Sequence, residues 1–251
     1  MNEAQRGTAI VVGGSSGLGR ATVLALAAQG RRVWAIGRDR GRLGRLRDES
    51  PGPGEVILRA LDATDGPTMD RLIDEADPEL VVVAAGARAR LAPIHDQTWE
   101  SFSEPWNGDL KMSFQIGQTA LRRPLRQGSL VILVSSGAGL GGSPLSGGYA
   151  GAKRMQMFLA GYLQRSSDAL GRGVRFLALV PKQLIAGTEL GEKAADAYAA
   201  QAGITREKYM ERFGAPLTAA AVARTIVAIS RGEIAREGTI LGVTGGGTEA
   251  L

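Results

Sequence analysis

The stretch Gly13-Gly14-Ser15-Ser16-Gly17-Leu18-Gly19 constrains this chain more than any other. The apolar run Ala9-Ile10-Val11-Val12 leads into it and reads as the end of a strand, Thr8 to Val12. A helical pattern leaves it, from Leu18 through Val23, Leu24 and Leu26 to Gly30. Strand, glycine turn and helix come in the order that holds a dinucleotide pyrophosphate. The glycines let the backbone approach phosphates, and the helix N-terminus presents free N–H groups with a partial positive charge. The spacing is G-x-x-x-G-x-G, at Gly13, Gly17 and Gly19, rather than G-x-G-x-x-G.

The same alternation continues. Strands are expected at Arg32 to Gly37, Glu55 to Ala60, Leu80 to Ala85, Ser129 to Val134, Val174 to Val180 and Thr239 to Val243. Helices are expected at Asp39 to Asp48, Met69 to Ala76, around Thr98, from Asn107 to Arg123 before Pro124, at Tyr149 to Leu170 and at Ala219 to Ser230. A turn is expected at Pro51 to Gly54. The run Val81-Val82-Val83 shows no alternation, as in a strand buried on both faces. This order implies parallel βαβ units in one α/β domain over residues 1–251: a doubly wound, mostly parallel sheet of seven strands, the Rossmann arrangement. Ligands of such sheets sit beyond the carboxyl ends of the strands. The glycine turn, Arg38, Asp62, Gly86, Ser136 and Pro181 all fall at such ends.

Composition narrows the function classes. The chain has 251 residues and no cysteine, so no disulfide framework or thiolate metal site is expected. Neither a signal peptide nor a membrane span is expected, which makes the cytoplasm the default. The net charge of +5 is dispersed, apart from Arg38, Arg40, Arg42, Arg45 and Arg47, and a nucleic-acid binder would gather it on one stripe. His95, the only histidine, has no ligand-like neighbours and reads as a surface residue. Trp99, Phe102 and Trp106 have helical spacing and are expected to pack into the core.

Tyr149 and Lys153 are four residues apart at the start of a helix and share a face. A free phenol titrates near pH ~10 and is a poor acid–base group at neutral pH. A lysine cation beside it favours the phenolate and makes proton exchange with a carbonyl or alcohol oxygen practicable. Ser136 ends a strand thirteen residues earlier, where its hydroxyl can orient the reacting oxygen. Such chemistry needs a hydride that no side chain carries, so a cofactor must bring it. Arg38 follows the second strand and Gly37 leaves no acid before it, which favours a 2′-phosphate and hence NADP(H) over NAD, with Asp39 as the opposing feature. Arg42 stands one turn further on.

With these residues in place the chain resembles the short-chain dehydrogenase/reductase family over nearly its whole length. The resemblance rests on Gly13, Gly17, Gly19, Asp62, Ala85-Gly86, and on Ser136, Tyr149 and Lys153 at the family's catalytic spacing. It implies an NAD(P)-dependent oxidoreductase for a small carbonyl or alcohol substrate, assembled as a homodimer or homotetramer. It implies that Asp62 lies near the adenine and that Lys153 also holds the nicotinamide ribose. The cofactor shell it implies comprises Gly13, Ser15, Ser16, Gly17, Leu18, Gly19, Arg38, Asp62, Ala63, Ala85, Gly86, Tyr149, Lys153, Pro181 and Leu184. The segment 183–215 stands where the family keeps its substrate loop; it is alanine-rich and reads as helical. Several positions depart from the family pattern: Val12 for threonine, Val83 and Ala84 for asparagines, and Lys182 for glycine. The family's catalytic asparagine falls on Asp109, with Asn107 a two-residue slip away. On a regular helix residues two apart point about 200° from each other, so only one of them can face the site. The expected function is NADP(H)-dependent interconversion of a carbonyl and an alcohol, with Tyr149 as acid–base group. The alternative is a regulatory protein that binds NADP(H) without turning anything over.

Overall fold

In the computed structural model, residues 7–49, 52–86, 90–123, 125–234 and 238–251 are described. Pro51 and Pro124, expected to mark a turn and a helix stop, lie outside them. The first half of the chain runs β1 (Thr8–Val12), α1 (Gly17–Ala28), β2 (Arg32–Gly37), α2 (Arg40–Glu49), β3 (Val56–Ala60), α3 (Gly66–Ala76) and β4 (Leu80–Val83). α4 (Trp99–Pro105) passes through a π-helical turn, Trp106–Leu110, into α5 (Lys111–Arg122). β5 (Leu130–Val134), the short α6 (Ala138–Gly141), α7 (Gly147–Ala169) and β6 (Arg175–Pro181) follow. The last part holds β7 (Ile185–Ala186), α8 (Glu189–Ala202), α9 (Arg206–Glu211), β8 (Leu217–Thr218), α10 (Ala219–Ser230), β9 (Ile240–Thr244) and β10 (Gly247–Ala250).

The main sheet has the order β10-β9-β6-β5-β4-β1-β2-β3, parallel throughout except at β10. The order reverses between β1 and β4, the switch point where α/β sheets open a crevice. Because side chains alternate along a strand, β1 splits between two cores. Ile10 and Val12 pack with α3, α5 and α7, and Ala9 and Val11 pack with α1, α2 and α10. Both faces are therefore covered, which is why β4 and β5 are apolar without a break. Among the described residues no helix is long and apolar enough to cross a membrane.

The sheet has eight strands where seven were expected. The extra one, β10, carries Gly-Thr-Glu-Ala, is exposed, and pairs antiparallel with β9. It has no apolar alternation to betray it, since main-chain pairing with β9 and the ion pair of Glu249 with Lys182 hold it. Strand four stops at Val83, two residues short of the expected Ala85. The segment 183–215 forms α8 and α9, and its two ends are tied by parallel pairing of β7 with β8.

Candidate active site

The glycine turn packs against the end of β4. A Cβ on Gly13 would fall 2.5 Å from the Ala85 backbone nitrogen, and one on Gly19 would fall 2.0 Å from the Gly13 carbonyl oxygen. Neither position has room for a side chain, so the turn stays flat against the crevice. Ser16 caps α1 in extended conformation without a side-chain capping bond, and the first turn of α1 carries no acidic residue. The positive end of the helix is thus left for an anion. These features fit a dinucleotide pyrophosphate. Ser15 lies against Gly37, where a Cβ would be 3.0 Å from its hydroxyl. Leu18 and Ala63 are buried in the two cores, so only their backbones can meet a cofactor.

Arg38 is exposed just beyond β2. The Asp39 carboxylate accepts the Arg42 N–H at 2.9 Å and lies 3.5 Å from the Arg42 guanidinium, so it is turned to α2. Asp62 accepts from the N–H and hydroxyl of Thr64, both at 2.9 Å. The Thr64 N–H is the main reason that its carboxyl is held below the ordinary range, with smaller help from the Arg38 and Lys111 charges.

The centre of the site joins three elements. Lys153, on α7, lies with its Nζ 3.0 Å from Oδ2 of Asp109 and donates to the Val134 carbonyl at 3.1 Å. The side chains are 5 % and 0 % exposed. Burial disfavours the ammonium, but the charge and bond of Asp109, with Tyr149, outweigh it and hold Lys153 above its ordinary value. The lysine Nζ lies 5.5 Å from the centroid of the Tyr149 ring. Ser136 follows β5 half-buried, and its Oγ accepts the Ala138 N–H at 3.2 Å. That uses one lone pair and leaves the O–H hydrogen to donate. Gly86 abuts Asp109, whose Oδ2 would lie 3.3 Å from a Cβ there. The Pro181 carbonyl accepts from Gly137 at 2.7 Å, and Leu184 lies half-buried just before β7.

Asp109 rather than Asn107 faces Lys153; Asn107 is exposed. The π turn explains how Asp109 is aimed. Pro105 has no N–H, the regular ladder lapses, and a wider turn re-aims the residues that follow. The Asp109 carbonyl accepts from the Ser113 hydroxyl at 2.8 Å and the Gln156 amide at 3.4 Å. The Ser135 hydroxyl donates to the Lys153 carbonyl at 2.7 Å. Ser113, Gln156 and Ser135 were missed by the sequence reading, although Gln156 stands one turn after Lys153.

Other expectations fare differently. Lys182 runs past Gly242 to pair with Glu249 on β10. His95 is exposed and lies 3.8 Å from Asp96. The aromatic stripe is not core: Trp99 is exposed and stacks on Phe102, and the Trp106 indole donates to the Gly148 carbonyl at 3.1 Å. Helical spacing says only that these rings share a side, not that the side is buried.

The family model described as short chain dehydrogenase matches residues 7–199. The chain is 34 % identical to carbonyl reductase (NADPH) 2 of Sus scrofa over 48 % of each chain. It is 33 % identical to the L-xylulose reductase of Mesocricetus auratus over 52 % of this chain and 53 % of that one. The chain thus spans about half the length of these curated relatives. The crystal structure of levodione reductase superposes with a TM-score of 0.81 at 20 % identity, over 96 % of both chains, which shows a shared fold.

Proposed function

Because this chain belongs to the short-chain dehydrogenase family, we propose that it is an NADP(H)-dependent oxidoreductase interconverting a small carbonyl compound and its alcohol. The observation that carries this reading is the buried Lys153 ammonium beside the Tyr149 ring, at the same sheet edge as Ser136 and the glycine turn. The names of the carbonyl and xylulose reductases support it. A bound nicotinamide supplies the hydride. The Tyr149 phenol gives its proton to the carbonyl oxygen on reduction and takes it back on oxidation. Lys153, whose ammonium lies 5.5 Å from the Tyr149 ring centroid, would hold the ribose hydroxyls. Ser136 donates to the reacting oxygen and fixes its direction.

A screen of ketones and aldehydes, read as loss of NADPH absorbance, tests the reading. Tight NADPH binding without turnover of any compound would favour the regulatory alternative. Asp109 lends that alternative its one specific observation, since its carboxylate draws on the Lys153 charge.

Arg38 is assigned to the 2′-phosphate because Asp39 is engaged with α2 and no other acid stands at the end of β2. Arg38→Ala is expected to weaken NADPH binding by about tenfold or more, the worth of a charge-assisted hydrogen bond, and to leave NADH binding unchanged. Fluorescence titration with both cofactors checks this. An undiminished preference for NADPH would remove Arg38 from the role.

Phe114 on α5 and Phe158 and Tyr162 on α7 are exposed on neighbouring helices, and the last two rings meet edge to face at 4.7 Å. Such an apolar surface is suited to a second copy of the chain. Light scattering at micromolar concentration is expected to give a dimer or tetramer mass; a monomer mass would count against assembly through this face.

A further inference from the structure

A second pair of hydroxyls meets beside the Tyr149 cluster. Tyr198, on α8, is hydrogen-bonded to Ser143, in the loop between Ser136 and Tyr149. The Ser143 N–H donates to the Ser146 hydroxyl oxygen, and the Ser146 hydroxyl donates to the Ser143 carbonyl, each at 2.9 Å. The Tyr149 N–H donates to the Ser146 carbonyl at 3.0 Å. Ser143 is thereby fixed to the first turn of the helix that carries Tyr149. Tyr198 is fixed from the other side. Its ring stacks on the buried Tyr209 at 5.8 Å, and Tyr209 meets Phe213 edge-on at 5.8 Å. Both hydroxyls are thus held at the first turn of the helix that carries Tyr149, and Tyr149 is near enough to act electrostatically on Tyr198. Burial holds the Tyr198 hydroxyl above its ordinary value, so it stays a donor at neutral pH.

Each hydroxyl offers one hydrogen and two lone pairs. Their mutual bond spends one of each, so hydrogen-bonding capacity remains beside the phenol. An apolar group laid over it would strip water and return nothing.

We infer that Tyr198 and Ser143 form a specificity element that binds a hydroxyl on the carbon next to the carbonyl reacting at Tyr149, so that the substrate is an α-hydroxy carbonyl compound. This rests on the reductase reading. Hydroxyacetone and butanone test it, because they differ only in a hydroxyl against a methyl group. The native protein is expected to favour hydroxyacetone in kcat/KM by about tenfold, the worth of one hydrogen bond. Tyr198→Phe keeps the ring stack and is expected to lose that preference, chiefly through KM, with butanone unchanged. Ser143→Ala is expected to do the same, and the double variant to be no worse than either, since the pair acts as one unit. If only larger ketones are reduced, the comparison is made between such a ketone and its α-hydroxy derivative. Equal kcat/KM for the two ketones, or equal losses on both in the variants, would overturn the inference and leave the reductase reading standing. Turnover of no carbonyl compound at all would remove both.

Discussion

Tyr149→Phe is expected to reduce turnover by about 10²- to 10⁴-fold, the range supplied by a positioned proton donor, while NADPH still binds. The substitution deletes one hydroxyl and keeps the ring near the Lys153 ammonium, 5.5 Å from its centroid in the native protein. The melting temperature should therefore hardly move. Steady-state kinetics on a substrate from the carbonyl screen, with cofactor titration alongside, separates chemistry from binding. Retention of turnover within about threefold would mean that another group delivers the proton, since even the weakest such donor is worth about a hundredfold.

Lys153→Met is expected to cost both activity and stability. The methionine replaces much of the apolar stem, but it removes the cation 3.0 Å from a carboxylate that is 0 % exposed. Breaking one side of a buried pair typically costs about 3–5 kcal/mol. Urea unfolding measures the loss. Adding Asp109→Asn to Lys153→Met deletes the stranded charge and should recover most of the stability with none of the activity. A double variant as unstable as the single one would show that the lost stability lies in packing rather than in the ion pair. The pH dependence has a definite sign. Lys153 is held above its ordinary 10.5, so the pair's contribution is complete below that pH and fades as pH rises through the raised value. The stability gap between native and single variant should accordingly be flat through neutrality and narrow only in strong alkali. Asp109→Asn alone leaves Lys153 with its bond to the Val134 carbonyl but without the charge that offsets its burial, so it too should cost stability. Urea unfolding should show that loss; a variant as stable as the native protein would mean that the pair adds nothing to stability.

The sheet, its parallel order and its crevice were legible because they follow from local rules. An apolar run that never alternates must be covered on both faces, as β4 and β5 are. A glycine turn between strand and helix faces the carboxyl edge wherever the sheet is parallel. Tyr149 and Lys153 share a face through helical periodicity alone. By these means the sequence by itself determined the architecture, the sheet edge that carries the candidate site, and that Tyr149 and Lys153 stand together there. Only the tertiary structure decided what lies across from that pair. Asp109 meets Lys153 because Pro105 interrupts the helix and a π turn re-aims the chain, whereas a count of residues per turn leaves Asp109 and Asn107 as alternatives. β10 forms by main-chain bonds, which write no pattern into side chains. Tyr198 reaches Ser143 across 55 residues of chain, from a segment whose ends are tied by the pairing of β7 with β8. Contacts of that kind depend on how elements dock, and docking is set by the whole packed core rather than by any stretch of the chain.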